Sequence, residues 1–357
     1  AIVLPVLMLA DKYNVTDLRQ LCVSYMVNHV VSITAQNHAV SWYQYACLCG
    51  HTVLAKVCYN FILLNFHKVS STEDFLLMEP GVLLQFLQDS NLVVPDEYAL
   101  YTGILRWIHN EEAKPENQHE SLHFTELLLQ ILSCIRFPMI PLLNLQNMKL
   151  DPLSSELADF FYEKVGNAIQ YHSLALVERK KLATVSAISD MAIPRNYTND
   201  MWGTQLCIDN FANLTKSDIV PLVFSSPVSG SNSDAQRSLE WSVDVFPKGV
   251  HFQKCIMIGL WRNLEISGET YETVRLTLQS NPPRKRLVDV SILVSGVQDN
   301  VEYTKKIICK RCTFDPEHKV YHINDLVPFK ELNCPNSNYL CGPNRDSFKI
   351  TIIIKPV

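Results

Sequence analysis

Apolar residues in the first half of the chain recur every three or four positions, as on one face of an amphipathic helix. Gly50 stands where a helix C-terminus favours a left-handed residue, and Pro95 and Asp96 form a typical helix start. Helices are therefore predicted over residues 17–30, 43–50, 52–66, 70–77 and 80–87, and from residue 95 onward. Such short helices need their neighbours for stability, so this half is expected to be a helix stack.

The period of the pattern changes to two beyond about residue 202. Strands with alternating apolar and polar positions are predicted over residues 241–246, 274–278, 288–294 and 348–354. Several short strands separated by Gly, Pro and Asn predict an antiparallel β-sandwich. Residues 186–200 lie between the two patterns and are expected to form a linker, whereas residues 225–236 are low in complexity and are expected to form a loop.

Composition supports a multidomain α and β protein with more than one core. The chain has 357 residues, of which 47% are hydrophobic and 19% charged. Its net charge of -5 argues against a dedicated binder of nucleic acids or anionic membranes. No run approaches the ~18 apolar residues of a membrane span. Residues 1–10 lack the basic segment of a signal peptide, and the absence of an initiator Met suggests that the true N-terminus lies outside this sequence.

Motifs of the common enzyme families are absent from the sequence. It contains no phosphate-binding P-loop, no dinucleotide fingerprint, no zinc-protease helix motif and no nucleophile elbow. His109, His119 and His123 lie in a polar stretch without regular ligand spacing, and we interpret them as solvated side chains. The chain is therefore expected not to be an enzyme and to need no cofactor.

Eleven cysteines leave three readings open in the second half, namely zinc ligands, disulfides, or free core and surface thiols. Cys309 and Cys312, followed by Cys334 and Cys341, have a superficially zinc-like arrangement. The spacing of the last two is unusual for a zinc knuckle, so disulfides are the preferred reading and Cys334 with Cys341 could close a short loop. An odd total leaves at least one thiol unpaired within the chain.

Basic residues form three short groups, at 284–286, 305–306 and 310–311. One expectation is that they are solvent-exposed on a hairpin and on an edge strand, where their charge discourages edge-to-edge aggregation. The other is that they form a partner-binding surface. The sequence does not assign partner-binding residues.

Three stretches resemble known interaction modules. Residues 7–15 (LMLADKYNV) resemble the closing helices of a BTB/POZ domain, and residues 54–58 (LAKVC) and 135–139 (IRFPM) resemble the BACK domain of the galectin-3-binding-protein group. Residues 241–249 (WSVDVFPKG) resemble the signature of TRAF/MATH-type sandwiches. The resemblance implies a helical BTB end over residues 1–34, a BACK helix stack over 35–185, a linker over 186–200 and a TRAF/MATH-like β-sandwich over 201–357.

What the resemblance implies for function is protein binding. BTB domains dimerise and can recruit cullin-3, and TRAF/MATH sandwiches bind short peptides along a sheet edge. The strands and early helices of the BTB fold would precede residue 1, so the self-association surface is expected outside this sequence.

Asn14, Asn196 and Asn213 begin glycosylation sequons. Together with the cysteines and the resemblance, these sequons favour a secreted glycoprotein that oligomerises through its BTB portion and binds proteins with its sandwich. The alternative is a cytoplasmic substrate adaptor of a cullin-3 ubiquitin ligase.

Overall fold

A computed structural model describes residues 2–33, 37–114, 122–148, 150–174, 178–179, 193–227, 238–252, 255–258, 263–266, 269–282 and 284–356. The chain divides into two compact units. The first comprises residues 1–200, 227–237 and 298–304, and the second comprises residues 201–226, 238–297 and 305–357. Helices dominate the first unit and antiparallel strands the second, which confirms the predicted fold class.

The first unit is a stack of short helices. Its α-helices are α1 (Val3–Lys12), α2 (Thr16–Asn28), α3 (Ala39–Cys49), α4 (Thr52–Leu64), α5 (Phe66–Ser70), α6 (Pro80–Gln88), α7 (Glu97–Glu112), α8 (Leu122–Ser133), α9 (Leu142–Met148), α10 (Pro152–Glu156) and α11 (Ala158–Ser173). Short 3₁₀ turns cover Asp74–Leu77 and Phe137–Met139.

Local sequence signals set several of these helix ends. Gly50 follows α3 with a φ of 75°, a conformation that other residues adopt only with strain. The Asp96 side chain accepts a hydrogen bond of 2.8 Å from the Ala99 amide and caps α7. Apolar residues on one face of α4 and α7, including Leu54, Cys58 and Trp107, are fully buried. The core of this unit thus lies along the stripes that the sequence predicts.

Part of the predicted linker belongs to the first unit. Strand β1 (Val93–Val94) pairs in parallel with β2 (Asn196–Tyr197). Both strands are buried, and the Thr198 amide donates to the carbonyl of Val94 at 3.0 Å. Residues 194–197 are therefore packed within the first unit, because their side chains are buried and the backbone of β2 completes a small sheet; residues 186–192 lie outside the described part of the chain.

The second unit is built from short antiparallel strands. They are β3 (Gly203–Ile208), β4 (Val220–Pro227), β5 (Ser238–Phe246), β6 (Val250–Phe252), β7 (Cys255–Ile258), β8 (Asn263–Ile266), β9 (Glu269–Tyr271), β10 (Arg275–Gln279), β11 (Arg286–Gln298), β12 (Val301–Phe314), β13 (Val320–Ile323), β14 (Leu340–Cys341) and β15 (Ser347–Pro356), with a short helix α12 (Phe329–Leu332). The predicted loop at 225–236 starts later than expected, since Ser225 still belongs to β4; residues 228–236 are not described.

Two main sheets enclose the core of the sandwich. One has the order β13-β10-β5-β4, and the other has the order β12-β11-β15-β14 with β3 added on β15. Alternate residues of β5, β10 and β15, such as Trp241, Leu276 and Ile350, are fully buried in one hydrophobic cluster. In the second sheet Gly203 lies opposite Ile353, and a Cβ atom at Gly203 would overlap the carbonyl oxygen of Ile352. Glycine is therefore needed where β3 meets β15.

Candidate interaction surfaces

Strand β4 ends its sheet among the residues that the structure describes. Its side chains alternate: Leu222 and Phe224 pack against the sandwich core, whereas Val223 points away and is 61% exposed. An edge strand presents unpaired backbone groups that can accept another strand. Proline occupies the second and last positions of β4, and an edge strand tolerates the missing N–H of proline.

A buried hydrogen bond fixes the C-terminal end of β4. Trp241 of β5 is fully buried, and its indole Nε1–H donates to Ser226 Oγ at 2.8 Å. Because a buried indole N–H needs a partner, this contact holds the end of β4 against the core. Trp241, the first residue of the predicted strand 241–246, thus also positions the edge strand.

The outer face of the same sheet carries a polar row across three strands. Thr277 of β10 lies opposite Asp244 of β5 and His322 of β13. Thr277 Oγ1 is 3.0 Å from His322 Nδ1, and at the end of β10 the Arg275 Nε–H donates to Asn324 Oδ1 at 2.7 Å. Asp244 remains partly accessible beside this row. These groups can hydrogen-bond to a ligand on this face.

The turn after β5 is held by a lysine and a glycine. Lys248 Nζ lies 4.0 Å from the centre of the Phe211 ring, a cation–π contact, and burial lowers the pKa of Lys248. Gly249 has a φ of 96°, and a Cβ atom there would lie 2.7 Å from the carbonyl oxygen of Tyr271. The Pro-Lys-Gly part of the sandwich signature therefore forms a tight turn after β5.

The three sequons lie in different environments. Asn14 is exposed in the turn between α1 and α2, with a φ of 54°. Asn213 is exposed at the end of a 3₁₀ turn in the sandwich. Asn196 is instead fully buried in β2, and its Nδ2 donates to the carbonyl of Asn91 at 3.0 Å. A glycan on Asn196 is incompatible with this packing.

Of the four cysteines considered for metal or disulfide chemistry, Cys309, Cys312 and Cys334 are free thiols in the structure. Cys309 is exposed and Cys312 is buried because residues three apart on β12 point to opposite faces. These two thiols cannot meet each other or share one zinc ion. Cys334 is exposed and Cys341 buried. A disulfide between them is absent from the structure and stays a prediction.

The described residues include no cluster of His, Cys, Asp and Glu suited to a metal ion. His109 lies on α7 rather than in a loop, because this helix continues to Glu112; His119 lies outside the described residues. Among the helices that the structure describes, none is long and apolar enough to cross a membrane.

The basic groups separate into two environments. Lys305 Nζ lies 4.1 Å from the centre of the Tyr339 ring, and Lys306 Nζ donates to the carbonyl of Leu326 at 3.1 Å. These two lysines are therefore engaged within the sandwich. Arg311 lies elsewhere on β12 and binds Asp289 of β11 through both carboxylate oxygens, at 2.7 and 2.9 Å.

A buried polar cluster, not expected from the sequence, anchors residues 193–197. Arg195 Nε donates to Glu97 Oε1 at 2.7 Å, and the Tyr197 hydroxyl donates to the same oxygen at 2.9 Å. Arg195 also donates to the carbonyls of Asp89 and Cys134. Burial, together with the charge of Glu97, holds the pKa of Tyr197 well above its usual range. The cluster is structural, since its groups are sealed from solvent.

Comparison with known proteins identifies the two modules. Residues 39–149 match the BACK model (BTB And C-terminal Kelch), and residues 192–357 match the model of the BTBD17 TRAF domain. BACK and TRAF domains are protein-interaction modules. The expected BACK and TRAF/MATH resemblances are thus confirmed.

Similarity to individual proteins extends over nearly the whole chain. BTB/POZ domain-containing protein 17 of Xenopus laevis is 25% identical over 368 residues, which cover 99% of this chain and 72% of the relative. The Homo sapiens protein of the same name is 25% identical over 99% of this chain and 70% of its own length. Galectin-3-binding protein of Rattus norvegicus is 26% identical over 56% of this chain and 33% of its own. The chain therefore carries a BACK domain followed by a TRAF domain of the BTBD17 type, and it resembles BTB/POZ domain-containing protein 17 along almost its full length.

Proposed function

We propose that this chain is a non-enzymatic binding protein whose sandwich takes up an extended peptide segment along β4. The observation that carries this proposal is that β4, with Val223 exposed, ends a sheet of the described structure. A peptide added as a further strand would gain main-chain hydrogen bonds from β4 and side-chain contacts on the outer face. Asp244 of β5, the strand next to β4, supplies a partly accessible polar group on that face.

The proposal predicts that binding depends on one edge of the sheet. Val223 on β4 and Val320 on β13 are exposed valines on opposite edges, so Val223→Lys and Val320→Lys are matched variants. Peptides are first selected from a random displayed library for binding to the 357-residue chain. They should bind the Val223→Lys variant at least about tenfold more weakly, because a lysine on an edge strand disfavours the addition of another strand. Val320→Lys should bind them as the unchanged chain does.

Two results would oppose this assignment. Selected peptides that lose affinity only in Val320→Lys would move the site to the other edge. Selected peptides that bind all three proteins equally would place recognition away from both edges. Circular dichroism of each variant shows whether the fold is retained, so that a loss of affinity is not mistaken for unfolding.

We further propose that the protein is a secreted glycoprotein that self-associates through its BTB portion. The exposed Asn213 supports glycosylation. Leu9 on α1 and Leu21 on α2 are each more than half exposed, as is Ile2 just before α1, which supports burial of these helices against further protein. Full-length protein from mammalian cells should shift in mobility after peptide-N-glycosidase treatment. An unchanged mobility would oppose this part of the proposal.

One observation favours a second candidate, an intracellular substrate adaptor of a cullin-3 ubiquitin ligase. Five exposed cysteines among the described residues, Cys47, Cys49, Cys207, Cys309 and Cys334, are free thiols, which is typical of a reducing compartment. This candidate predicts that the full-length protein co-purifies cullin-3 from cell lysate. A protein that carries glycans and brings down no cullin-3 would exclude it.

A further inference from the structure

Basic residues flank Asp289 at one end of the second sandwich sheet. The antiparallel register places Asp289 of β11 opposite Lys355 of β15, and Asp289 also binds Arg311 of β12. Arg284 and Lys285 are exposed just before β11 begins. We call this set the basic end, and it consists of Arg284, Lys285, Arg311 and Lys355.

The charge of the basic end is opposite to that of the chain. The whole chain has a net charge of -5, whereas at the basic end the acidic Asp289 lies between the cations Arg311 and Lys355. Arg284, Lys285 and Arg311 are exposed. Because neighbouring strands lie about 4.8 Å apart, the cations of β12 and β15 are separated by roughly 10 Å across β11. A ligand with several anionic groups can reach both, whereas a single anion competes directly with Asp289.

The edge of β12 beside the basic end is closed to a peptide strand. The Thr313 amide donates to the Tyr321 hydroxyl oxygen at 3.2 Å, and the Tyr321 hydroxyl donates to the Thr313 carbonyl at 2.5 Å. Both backbone groups that an added strand would need at Thr313 are therefore occupied. A polysaccharide needs no backbone pairing, and its anionic groups repeat along the chain.

From this arrangement we infer that the basic end binds a linear sulfated polysaccharide. The cations provide ion pairs to sulfate groups, and the arginines can bind a sulfate through two N–H groups. The biological relevance of this ligand rests on the secretion proposed above. The binding itself does not depend on secretion, since it can be measured with the purified chain. It also involves a different sheet from the proposed peptide edge.

The test compares two charge-matched double variants in the full 357-residue chain. Arg284→Glu with Lys285→Glu reverses two exposed cations of the basic end. Lys216→Glu with Lys330→Glu makes the same change at two exposed lysines elsewhere in the sandwich. The probes are a heparin oligosaccharide, its desulfated form and a polyglutamate peptide, each measured by calorimetry at physiological ionic strength.

The unchanged chain should bind the heparin oligosaccharide. The basic-end variant should lose at least about tenfold in affinity, because two cations that would pair with sulfate groups are replaced by anions. The Lys216 and Lys330 variant should retain the affinity. Desulfated heparin and polyglutamate should bind much more weakly. Absence of heparin binding, an equal loss in both variants, or equal binding of polyglutamate would each overturn the inference; the last result would indicate an acidic protein partner.

Discussion

Arg195 and Glu97 form a fully buried ion pair between residues 98 positions apart, with Arg195 Nε 2.7 Å from Glu97 Oε1. The pair joins the segment after the helix stack to the start of α7. Glu97 Oε2 has no hydrogen-bond partner among the described residues, so the carboxylate depends on Arg195 and Tyr197 for its compensation. Burial of a charge is tolerated only when a partner is present.

The first prediction concerns this pair. Glu97→Gln leaves the Arg195 guanidinium buried without a counter-charge, so the free energy of unfolding should fall by about 3–5 kcal/mol. Asp289→Asn removes the partner of the exposed Arg311 and should cost about 1 kcal/mol or less. Urea unfolding of both variants measures the difference. Equal and small losses would show that the buried pair does not hold the segment.

A second prediction uses two glycines. Gly203→Ala places a methyl group against the backbone of Ile352 and should destabilise the sandwich by about 1–3 kcal/mol or more. Gly166→Ala lies in α11 with no atom within 4 Å of the added Cβ and should stabilise the protein by roughly 0.5–1 kcal/mol. Thermal unfolding followed by circular dichroism compares the two. Tolerance of alanine at position 203 would contradict the close β3–β15 approach.

The third prediction is a pH dependence from His172. Burial lowers the pKa of this histidine, although its hydrogen bond to the Ile140 carbonyl acts in the opposite direction. The unfolded chain therefore takes up the proton at a higher pH than the folded chain does. The contribution to stability is complete above the unfolded pKa of about 6.5 and is lost as the pH falls toward the lowered folded value.

Replacing His172 should flatten this part of the stability profile. His172→Gln keeps a donor for the Ile140 carbonyl but removes the titration, so unfolding free energies between about pH 7 and pH 5 should change less than in the unchanged protein. His67→Gln alters an exposed histidine and serves as the control. Identical profiles for His172→Gln and the unchanged protein would indicate that His172 is not protonated on unfolding.

A fourth prediction concerns the sequons of protein made in the secretory pathway. Glycopeptide mass spectrometry of the folded, monodisperse fraction should find glycans at Asn213 and none at Asn196, because the Asn196 side chain is buried and bonded to Asn91. Asn213→Gln should remove the corresponding mobility shift, whereas Asn196→Gln should leave it unchanged. A folded fraction glycosylated at Asn196 would contradict the burial of β2.

Local signals explain which parts of the fold could be predicted. Gly50 and Asp96 each determine where a helix ends or begins, and both are visible in the local sequence. The alternation of apolar and polar residues after Trp241 likewise shows which side chains of β5 face the core. The pairing of Val93 with Asn196 joins two-residue strands about a hundred positions apart, and no local period encodes it. Arg195 lies in a polar stretch that is typical of a linker, and only its distant partner makes its burial possible.

The candidate interaction surfaces, like the fold, were only partly predictable from the sequence. The cysteines and basic groups were visible in the sequence, but the register of β11, β12 and β15 decides which of them meet. Periodicity alone separates Cys309 from Cys312, since residues three apart on a strand face opposite sides. It could not show that Lys305 and Lys306 are engaged within the sandwich while Arg311 lies beside Asp289.

Backbone hydrogen exchange along β4 tests most directly whether the sandwich binds peptides by strand addition. A library-selected peptide bound to the full 357-residue chain should slow exchange of amides between Leu222 and Ser226, with no comparable change in β13, because an added strand hydrogen-bonds to the backbone of its neighbour. Protection confined to β13, or peptide binding without slower exchange in β4, would contradict the proposed function.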